Sequence, residues 1–272
     1  MASFQRMGGY LKHTGHTSFG DFLELLAFRV RCRLKSEAST SYLNYAWWLL
    51  EPVLYMATFY LVFGTLLNGG TANFVAYLLT GLIPWLWFDK SVTNSTRSIL
   101  GGSPIIMQTQ VPIALFPAEV VVQDSVKQLP VFLLLAGFLV LYGIEADHHW
   151  LALLPIALIQ LALNLAAAFL VAAIVPFLPD VRFLVATGMM LLMFVSGIFY
   201  SYDLILPEHQ QLFFMNPMAA LIKAYRDVLL NHQWPDWWAL GFILLAALVV
   251  LMLLAFFFKS NSAIYARVIL ET

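Results

Sequence analysis

Charged residues are scarce in this 272-residue chain: Asp, Glu, Lys and Arg make up 11% of it, and hydrophobic residues make up 61%. Soluble domains carry about 25% charged residues. Much of the apolar sequence is gathered in runs of 18 or more residues, each long enough to cross a bilayer as a helix. The runs are continuous rather than alternating, which argues against a β-barrel. The sequence therefore predicts an all-α integral membrane protein.

The chain has a single cysteine, Cys32, and a net charge of −1, and both facts limit what the protein can bind. One thiol excludes an intrachain disulfide and a cysteine-rich metal site, and the charge gives no reason to expect nucleic acid. The chain also lacks the glycine-rich phosphate loop of an ATPase and the common hydrolase signatures. We therefore expect a chain that is not an enzyme and binds no cofactor. His148 and His149 beside Asp147 are a weak metal signal, and we expect no metal there.

Six apolar runs predict six transmembrane helices, and at ~1.5 Å per residue each reaches roughly 28 Å or more. The predicted helices cover about 45–67, 74–100, 118–143, 150–177, 182–200 and 237–258. The chain is thereby divided into a flexible cytoplasmic tail (1–17), an amphipathic helix with its linker (18–44), a transmembrane domain (45–258) and a cytoplasmic C-terminal tail (259–272). No cleavable signal precedes the first run, so we expect the protein to stay uncleaved in the membrane.

The segment ahead of the first run predicts a helix that lies on the membrane surface. Ser18 and Asp21 form a capping box at its start. The apolar face is formed by Phe19, Phe22, Leu23, Leu26, Val30 and Leu34. Acidic residues come early and basic residues late, which complements the helix dipole. A basic amphipathic helix of this kind lies in the interfacial plane, and packing against a partner protein is the alternative.

Basic residues set the orientation of the predicted helices. With the N-terminus in the cytoplasm, twelve of the 14 Lys and Arg residues lie on or near the cytoplasmic side. Only Lys223 and Arg226 then lie outside, within the segment 201–235. We therefore expect both termini to be cytoplasmic and this segment to face the exterior or periplasm.

The segment 201–235 contains a short amphipathic helix between two long apolar runs. Asn216 is a good N-cap, and Pro217 suits the first helical position. One apolar face repeats at helical spacing and consists of Met218, Leu221, Ile222, Tyr225 and Val228. Lys223, Arg226 and Asp227 lie elsewhere on the helix, which is too short and too polar to cross a bilayer.

Polar residues inside the apolar runs are candidates for function, because a charge in the bilayer is costly. In the first run, Trp48, Glu51 and Tyr55 share a helical face, and aromatic rings beside a carboxylate suit sugars. An aromatic belt at the membrane interface explains the same residues equally well. In the third run, Asp124 and Lys127 are three residues apart and can neutralise each other.

Several short stretches carry a family resemblance. They are Trp47-Trp48-Leu49-Leu50-Glu51-Pro52, Gly81-Leu82-Ile83-Pro84-Trp85-Leu86-Trp87-Phe88, Ser196-Gly197-Ile198-Phe199-Tyr200, Asn216-Pro217 and Tyr225-Arg226-Asp227. With the amphipathic start and the six runs, residues 19–258 resemble the membrane subunit of polysaccharide ABC exporters of the type-2 permease class. The O-antigen exporters are the most similar, with the capsule and teichoic-acid exporters as relatives.

The resemblance implies a homodimeric permease in the bacterial inner membrane, paired with two copies of a separate ATPase subunit that binds ATP and Mg²⁺. The loop 101–117 would be the coupling segment that contacts this subunit, and its candidate contact residues are Pro104, Met107, Gln108, Gln110 and Pro112. The family commonly has basic residues and an Asn there, whereas this chain has Gln108, Thr109 and Gln110.

The same resemblance implies a channel and an exit gate. The candidate channel-lining residues are Trp48, Glu51, Tyr55, Phe59, Thr93 and Tyr200. Two short helices within 201–235 would dip from the periplasm and cap the exit, with Asn216, Pro217, Tyr225 and Arg226 as gate residues. We expect Tyr225 and Arg226 to anchor this lid at the lipid headgroups, and contact with the glycan is the alternative.

The expected cargo is an undecaprenyl-linked surface polysaccharide, O-antigen first, with capsule or teichoic acid as alternatives. A small hydrophobic drug or a lipid would also suit a type-2 permease with 15% aromatic residues. A third hypothesis is an intramembrane enzyme acting on lipid-linked sugars. Its only external candidates for catalysis are Asp203, Glu208 and His209.

Overall fold

The computed structural model describes residues 19–39, 46–66, 73–108 and 111–271, and this part of the chain is helical without any strand. The helices are α1 (Phe19–Ser39), α2 (Ala46–Phe59, continued by the π-helical Tyr60–Leu66), α3 (Phe74–Ser95), α4 (Ser98–Gly101), α5 (Ser103–Ile106), α6 (Leu115–Leu141), α7 (Leu153–Ile174), α8 (Val181–Val195), α9 (Pro207–Phe214), α10 (Pro217–Leu229), α11 (Trp237–Ser260) and α12 (Ser262–Glu271). Short 3₁₀ turns at His148–Ala152 and Tyr202–Leu204 precede α7 and α9. The all-α prediction is confirmed for these residues, and the predicted tail 1–17 and the cap Ser18 lie outside them.

Three stretches of described helix are long and apolar enough to cross a membrane. They are Leu115–Leu141, His148–Ile174 and Trp237–Ser260, which match the third, fourth and sixth predicted runs. Pro52–Val62 and Val181–Val195 are apolar but shorter. Helix α3 has 22 residues, but its last two turns carry Asp89 and Lys90. This is the composition of a multi-pass membrane protein.

Two predicted helix ends are wrong by five residues. The second run was expected to reach residue 100, but α3 ends at Ser95, where hydroxyl groups bond to the backbone: Ser95 Oγ donates to Ser91 O and Thr96 Oγ1 to Thr93 O, each at 2.7 Å. Side chains of this kind compete with the helix ladder. The fifth run was expected to reach residue 200, but α8 ends at Val195 because Gly197 turns the chain with a φ of 71°.

Helix α3 occupies the centre of the larger hydrophobic core, where α6, α7 and α10 pack around it. Polar side chains also hold it there. Gln160 Nε2 of α7 donates to Pro84 O at 2.7 Å, and Gln128 Nε2 of α6 donates to Ile83 O at 3.2 Å. Buried polar groups are stable only when hydrogen-bonded, so these contacts fix both neighbours against α3.

A second core forms where α1, the start of α6, the end of α11 and α12 meet. It contains Leu26 and Val30 of α1 together with Phe116, Phe258 and Tyr265. Tyr265 Oη also donates to Ala173 O at 2.8 Å. The apolar face of α1 is therefore partly used within the chain itself, while Phe19 and Leu23 at its N-terminal end stay exposed.

Candidate functional site

Helix α10 begins as its sequence predicts. Asn216 Oδ1 accepts a hydrogen bond from Met218 N at 3.0 Å, and Pro217 occupies the first helical turn. This is the N-cap geometry that satisfies an otherwise free helix amide. The predicted apolar face is confirmed, because Met218, Leu221, Ile222, Tyr225 and Val228 are all buried.

Arg226 lies in the protein interior with 6% of its surface exposed, so the expectation that it anchors at headgroups is wrong. Its Nη1 donates to Tyr77 Oη and to Gly197 O, both at 2.7 Å. Its Nη2 donates to Ile198 O at 2.9 Å and to Tyr77 O at 3.1 Å. Burial lowers the pKa of the guanidinium to about 10, so it stays charged at neutral pH.

The backbone around Arg226 is shaped to receive a guanidinium. The carbonyls of Gly197 and Ile198 come after α8 has ended, and both accept from Arg226. On the other side, the guanidinium carbon lies 3.5 Å from the centroid of the Tyr77 ring, a cation–π contact. A Cβ on Gly81 would stand 2.7 Å from Arg226 Nη2, so any larger residue there would displace the guanidinium from its place beside α3.

Two further hydrogen bonds complete this arrangement, which we call the α10 junction: Tyr77, Gly81, 196–200, Asn216 and Arg226. Tyr77 Oη donates to Tyr200 O at 2.9 Å, and Asn216 Nδ2 donates to Ser196 Oγ at 2.9 Å. The turn after α8 is thus held by α3 from one side and by α10 from the other. Stretches far apart in sequence, from the glycine of α3 to the arginine of α10, meet here.

Tyr225 is also buried, which corrects its predicted position at the headgroups. Its ring stacks on Phe132 of α6 with centroids 5.7 Å apart. Among the described residues its hydroxyl has no hydrogen-bond partner. Asp227, two residues further on, is buried as well and pairs with Lys223 Nζ at 2.7 Å. Lys223 and Asp227 pair within α10, so among its charged residues it is Arg226 that fastens the helix to the rest of the protein.

At the other end of the bundle, ion pairs join α1 to the first half of α6; we call them the α1 clamp. Arg29 Nη2 lies 2.7 Å from Glu119 Oε2, and Glu119 is 2% exposed. Lys127 Nζ lies 2.6 Å from Glu37 Oε2 and 3.8 Å from Asp124 Oδ1. The predicted pairing of Asp124 with Lys127 is confirmed, and Glu37 of α1 joins it.

Replacing Arg29 by alanine should destabilise the protein by about 1–3 kcal/mol, because the buried carboxylate of Glu119 loses its hydrogen-bonded partner and keeps, among the described residues, only Arg33 Nη1, 3.7 Å from Oε1. Adding Glu119→Gln should recover most of that loss. Arg31→Ala, which changes an exposed arginine on the same helix, should have little effect. Thermal unfolding of the detergent-solubilised variants measures all three, and equal losses for Arg29 and Arg31 would contradict the clamp.

The predicted coupling residues lie beside this clamp. Pro104, Met107 and Gln108 are exposed, Met107 to 54%, and Pro112 is half-buried; Gln110 lies outside the described residues. Ile105 and Ile106 pack against the same core as Phe116, and the Phe116 ring lies 5.2 Å from the guanidinium carbon of Arg29. Through Ile105 and Ile106 the segment therefore packs on the core that α1 and the start of α6 share.

The predicted channel-lining residues lie in different surroundings. Tyr55 lines a cavity of about 350 Å³ between α2, α3 and α6, whose polar lining residues are Glu37, Lys90, Asn94, Asp124, Lys127 and Gln128. Thr93 is half-buried and donates to Asp89 at 3.3 Å, and the ring of Tyr200 lies 6.2 Å from that of Phe213. The backbone of Trp48, Glu51 and Phe59 belongs to α2, and their side chains lie outside what the structure describes. A channel role for these residues stays a prediction.

The helical bundle, with three helices long and apolar enough to cross a membrane, by itself defines the chain as a multi-pass membrane protein. Within that class it is similar to permeases. It is 28% identical over 215 residues to the O-antigen export system permease protein RfbA of Klebsiella pneumoniae, covering 79% of this chain and 83% of the relative. It is 29% identical over 236 residues to the protein of the same name from Myxococcus xanthus, covering 85% and 89%.

No family model matches the chain. The similarity to O-antigen export permeases nevertheless spans about four-fifths of the sequence and confirms the resemblance that the short stretches predicted. The chain thus resembles O-antigen export permeases over most of its length.

Sequence reasoning did not single out several residues of this site. Tyr77 received no role, and Glu119 was not noticed as the partner of Arg29. A glycine one helical turn after a tyrosine, as in Tyr77 and Gly81, is too common to predict an arginine contact. The run 196–200 was recognised as a motif, but not as the acceptor of Arg226.

Proposed function

We propose that this chain is the channel-forming permease subunit of an ATP-driven exporter that moves an undecaprenyl-linked surface polysaccharide, O-antigen first, across the bacterial inner membrane. The observation that carries the proposal is the α10 junction. It joins Gly81, the run 196–200, Asn216 and Arg226, and each of these belongs to one of the short stretches that resemble the exporters. The names of the similar proteins from Klebsiella pneumoniae and Myxococcus xanthus support O-antigen as the cargo.

The proposed membrane arrangement has six spans, with α2, α3 and α8 added to the three longest apolar stretches. Helix α2 and its π-helical continuation together cover 46–66, enough for the hydrocarbon core at about 1.5 Å per residue. Helix α8 is shorter, and the turn 196–200 would complete its passage. The basic residues favour cytoplasmic termini, with α9 and α10 outside.

A second copy of the chain would complete the channel. Helix α8 is apolar yet exposed on most of its surface, and Phe183, Leu184, Met190 and Leu191 are each exposed by 60% or more. Lipid can cover such a surface, but a polysaccharide needs a wide path that one packed bundle does not provide. Two copies facing each other through α2, α8 and the exposed polar end of α3 would leave such a path between them.

ATP binding and hydrolysis would take place on a separate subunit docked at 101–117, and this chain would need no cofactor of its own. The exposed Pro104, Met107 and Gln108 offer that subunit an uncharged contact surface. Because Glu119 follows the segment closely and is paired with Arg29, a push on the segment would move α1 and the start of α6 together.

At the exit, α9 fits a moving lid better than α10 does. Helix α10 is largely buried and held through Arg226, whereas α9 has no buried residue in its eight-residue length. Elements with few buried contacts open at the lowest free-energy cost. We therefore assign α10 as the fixed support of the gate and α9 as its mobile part.

The test of the function is a complementation experiment in a strain that lacks its own O-antigen export permease. Supplying this chain together with its ATPase subunit and the matching glycan genes should move the polysaccharide from the cytoplasmic side to the cell surface. Normal membrane levels of the chain with no surface glycan, while a drug or lipid is exported, would favour the small-molecule alternative.

A further inference from the structure

Three histidines and one aspartate lie together at the end of the bundle where α7 begins and α10 ends. Asp147, His148 and His149 come just before α7, and their potential ligand atoms all lie within 4.8 Å of one another. His232 follows α10 and comes from a distant part of the chain. Its Nδ1 lies 3.1 Å from Asp147 Oδ2, while His149 Nδ1 lies 2.5 Å from the same oxygen.

The surroundings hold this cluster in a fixed orientation. Asp147 is the N-cap of the 3₁₀ turn, and its Oδ1 accepts from His149 N at 3.1 Å, which leaves Oδ2 toward the two imidazoles. The Trp234 ring lies 5.0 Å from the His149 ring and 6.0 Å from the His148 ring. In metal sites, neighbouring groups commonly fix the orientation of the ligands. Here a backbone amide orients the carboxylate, and the Trp234 ring packs against the imidazoles of His148 and His149.

We propose that Asp147, His149 and His232 bind a divalent transition metal such as Zn²⁺, with His148 or water as the fourth ligand. Imidazole nitrogen and carboxylate oxygen are ordinary zinc ligands, at about 2.0–2.2 Å from the ion. A tetrahedral ion at that distance separates neighbouring ligand atoms by roughly 3.3 Å. The separations of 2.5 and 3.1 Å around Asp147 Oδ2 need to widen by less than about 1 Å. The His232 imidazole, which lies outside the group of ligand atoms within 4.8 Å of one another, also needs to turn toward the histidines to complete the site.

Such a metal would join two segments that are more than 80 residues apart in sequence: the turn that starts α7 and the chain that leaves α10. Helix α10 would then be held at both ends, by the α10 junction and by the metal. The proposal does not depend on which cargo the protein moves, since it follows from the ligand geometry alone. Sequence reasoning gave no metal site because nothing in the sequence places His232 beside Asp147.

The test measures Zn²⁺ binding to the full-length protein in lipid nanodiscs, purified without a histidine tag and treated with chelator. All proteins carry His13→Gln and His16→Gln, which remove the other close pair of histidines. Titration against a chromophoric chelator should show one Zn²⁺ per chain. His149→Gln and His232→Gln should each weaken binding at least about 100-fold, since second-shell changes alone cost 10–100-fold. His209→Gln, an exposed histidine of α9, should leave the affinity unchanged.

Co²⁺ provides a second measurement that does not require any variant of the proposed ligands to fold. In the tagless background protein, Co²⁺ should give the intense visible absorption of a tetrahedral site, saturating at one ion per chain and displaced by Zn²⁺. Absence of that spectrum, or Zn²⁺ affinity in the His149 and His232 variants equal to that of the His209 control, would overturn the proposal and leave the cluster as a hydrogen-bonded contact only.

Discussion

Replacing Arg226 by alanine is expected to remove most of the folded protein and all export. The substitution leaves the carbonyls of Gly197 and Ile198 without their donor in the interior, whereas Tyr77 O still accepts from Thr80 Oγ1. Each buried polar group left unpaired costs about 1–3 kcal/mol, and the lost cation–π contact with Tyr77 adds to this. The sum reaches the lower part of the stability range of a typical domain, about 5–15 kcal/mol.

Arg226→Lys should be intermediate, because an ammonium keeps the charge but has three donors instead of a planar fork of five. Arg182→Ala is the matched control, since that arginine is exposed at the start of α8. Membrane levels, thermal unfolding in detergent and surface glycan should be measured together. A well-folded Arg226→Ala protein with normal unfolding would show that the α10 junction does not hold α10.

Gly81→Ala is expected to have the second largest effect, even though it adds a single methyl group. The new Cβ would lie 2.7 Å from Arg226 Nη2 and 3.3 Å from Ile222 Cγ2, closer than such atoms approach without displacement. The guanidinium would have to move and give up hydrogen bonds. Overpacking a tight interior typically costs 1–3 kcal/mol, and lost bonds to a buried charge add to that.

Gly137→Ala is the matched control for this change. Gly137 also lies within a helix, α6, but nothing lies within 4 Å of a Cβ built on it. Replacing such a glycine should be neutral or should stabilise the protein by about 0.4–1 kcal/mol. A difference in unfolding temperature between the two alanine variants isolates the contact with Arg226. Equal unfolding temperatures would mean that α3 and α10 can separate at Gly81 without cost.

Local signals in the sequence predicted the elements well. Apolar run length predicted α6, α7 and α11, and the N-cap Asn216 with Pro217 predicted the start of α10. These features depend on residues close together in the chain, where periodicity and capping chemistry act. The sequence does not predict the helix ends at Ser95 and Val195, because the residues that follow them still look suitable for a helix. Hydroxyl side chains end the first helix, and Gly197 with its positive φ ends the second.

The tertiary placement of charged residues was not predictable in the same way. A helical wheel puts Arg226 on the polar side of α10, and on a surface helix that side faces water or headgroups. Here α3 and the turn after α8 cover that side and supply carbonyl acceptors. The contacts between Arg29 and Glu119 and between Asp147 and His232 likewise join residues about 90 and 85 positions apart, which a single sequence does not pair.

The central claim is that this chain works as a permease driven by a separate ATPase, and ATP hydrolysis by the reconstituted complex tests it most directly. The permease and its ATPase subunit, co-purified and placed in nanodiscs, should hydrolyse ATP faster when the cognate undecaprenyl-linked glycan is added. Met107→Asp, which puts a charge on the exposed coupling segment, should reduce that stimulation while leaving the permease folded. Failure of the two subunits to co-purify, or an ATPase rate unaffected by the glycan, would contradict the claim.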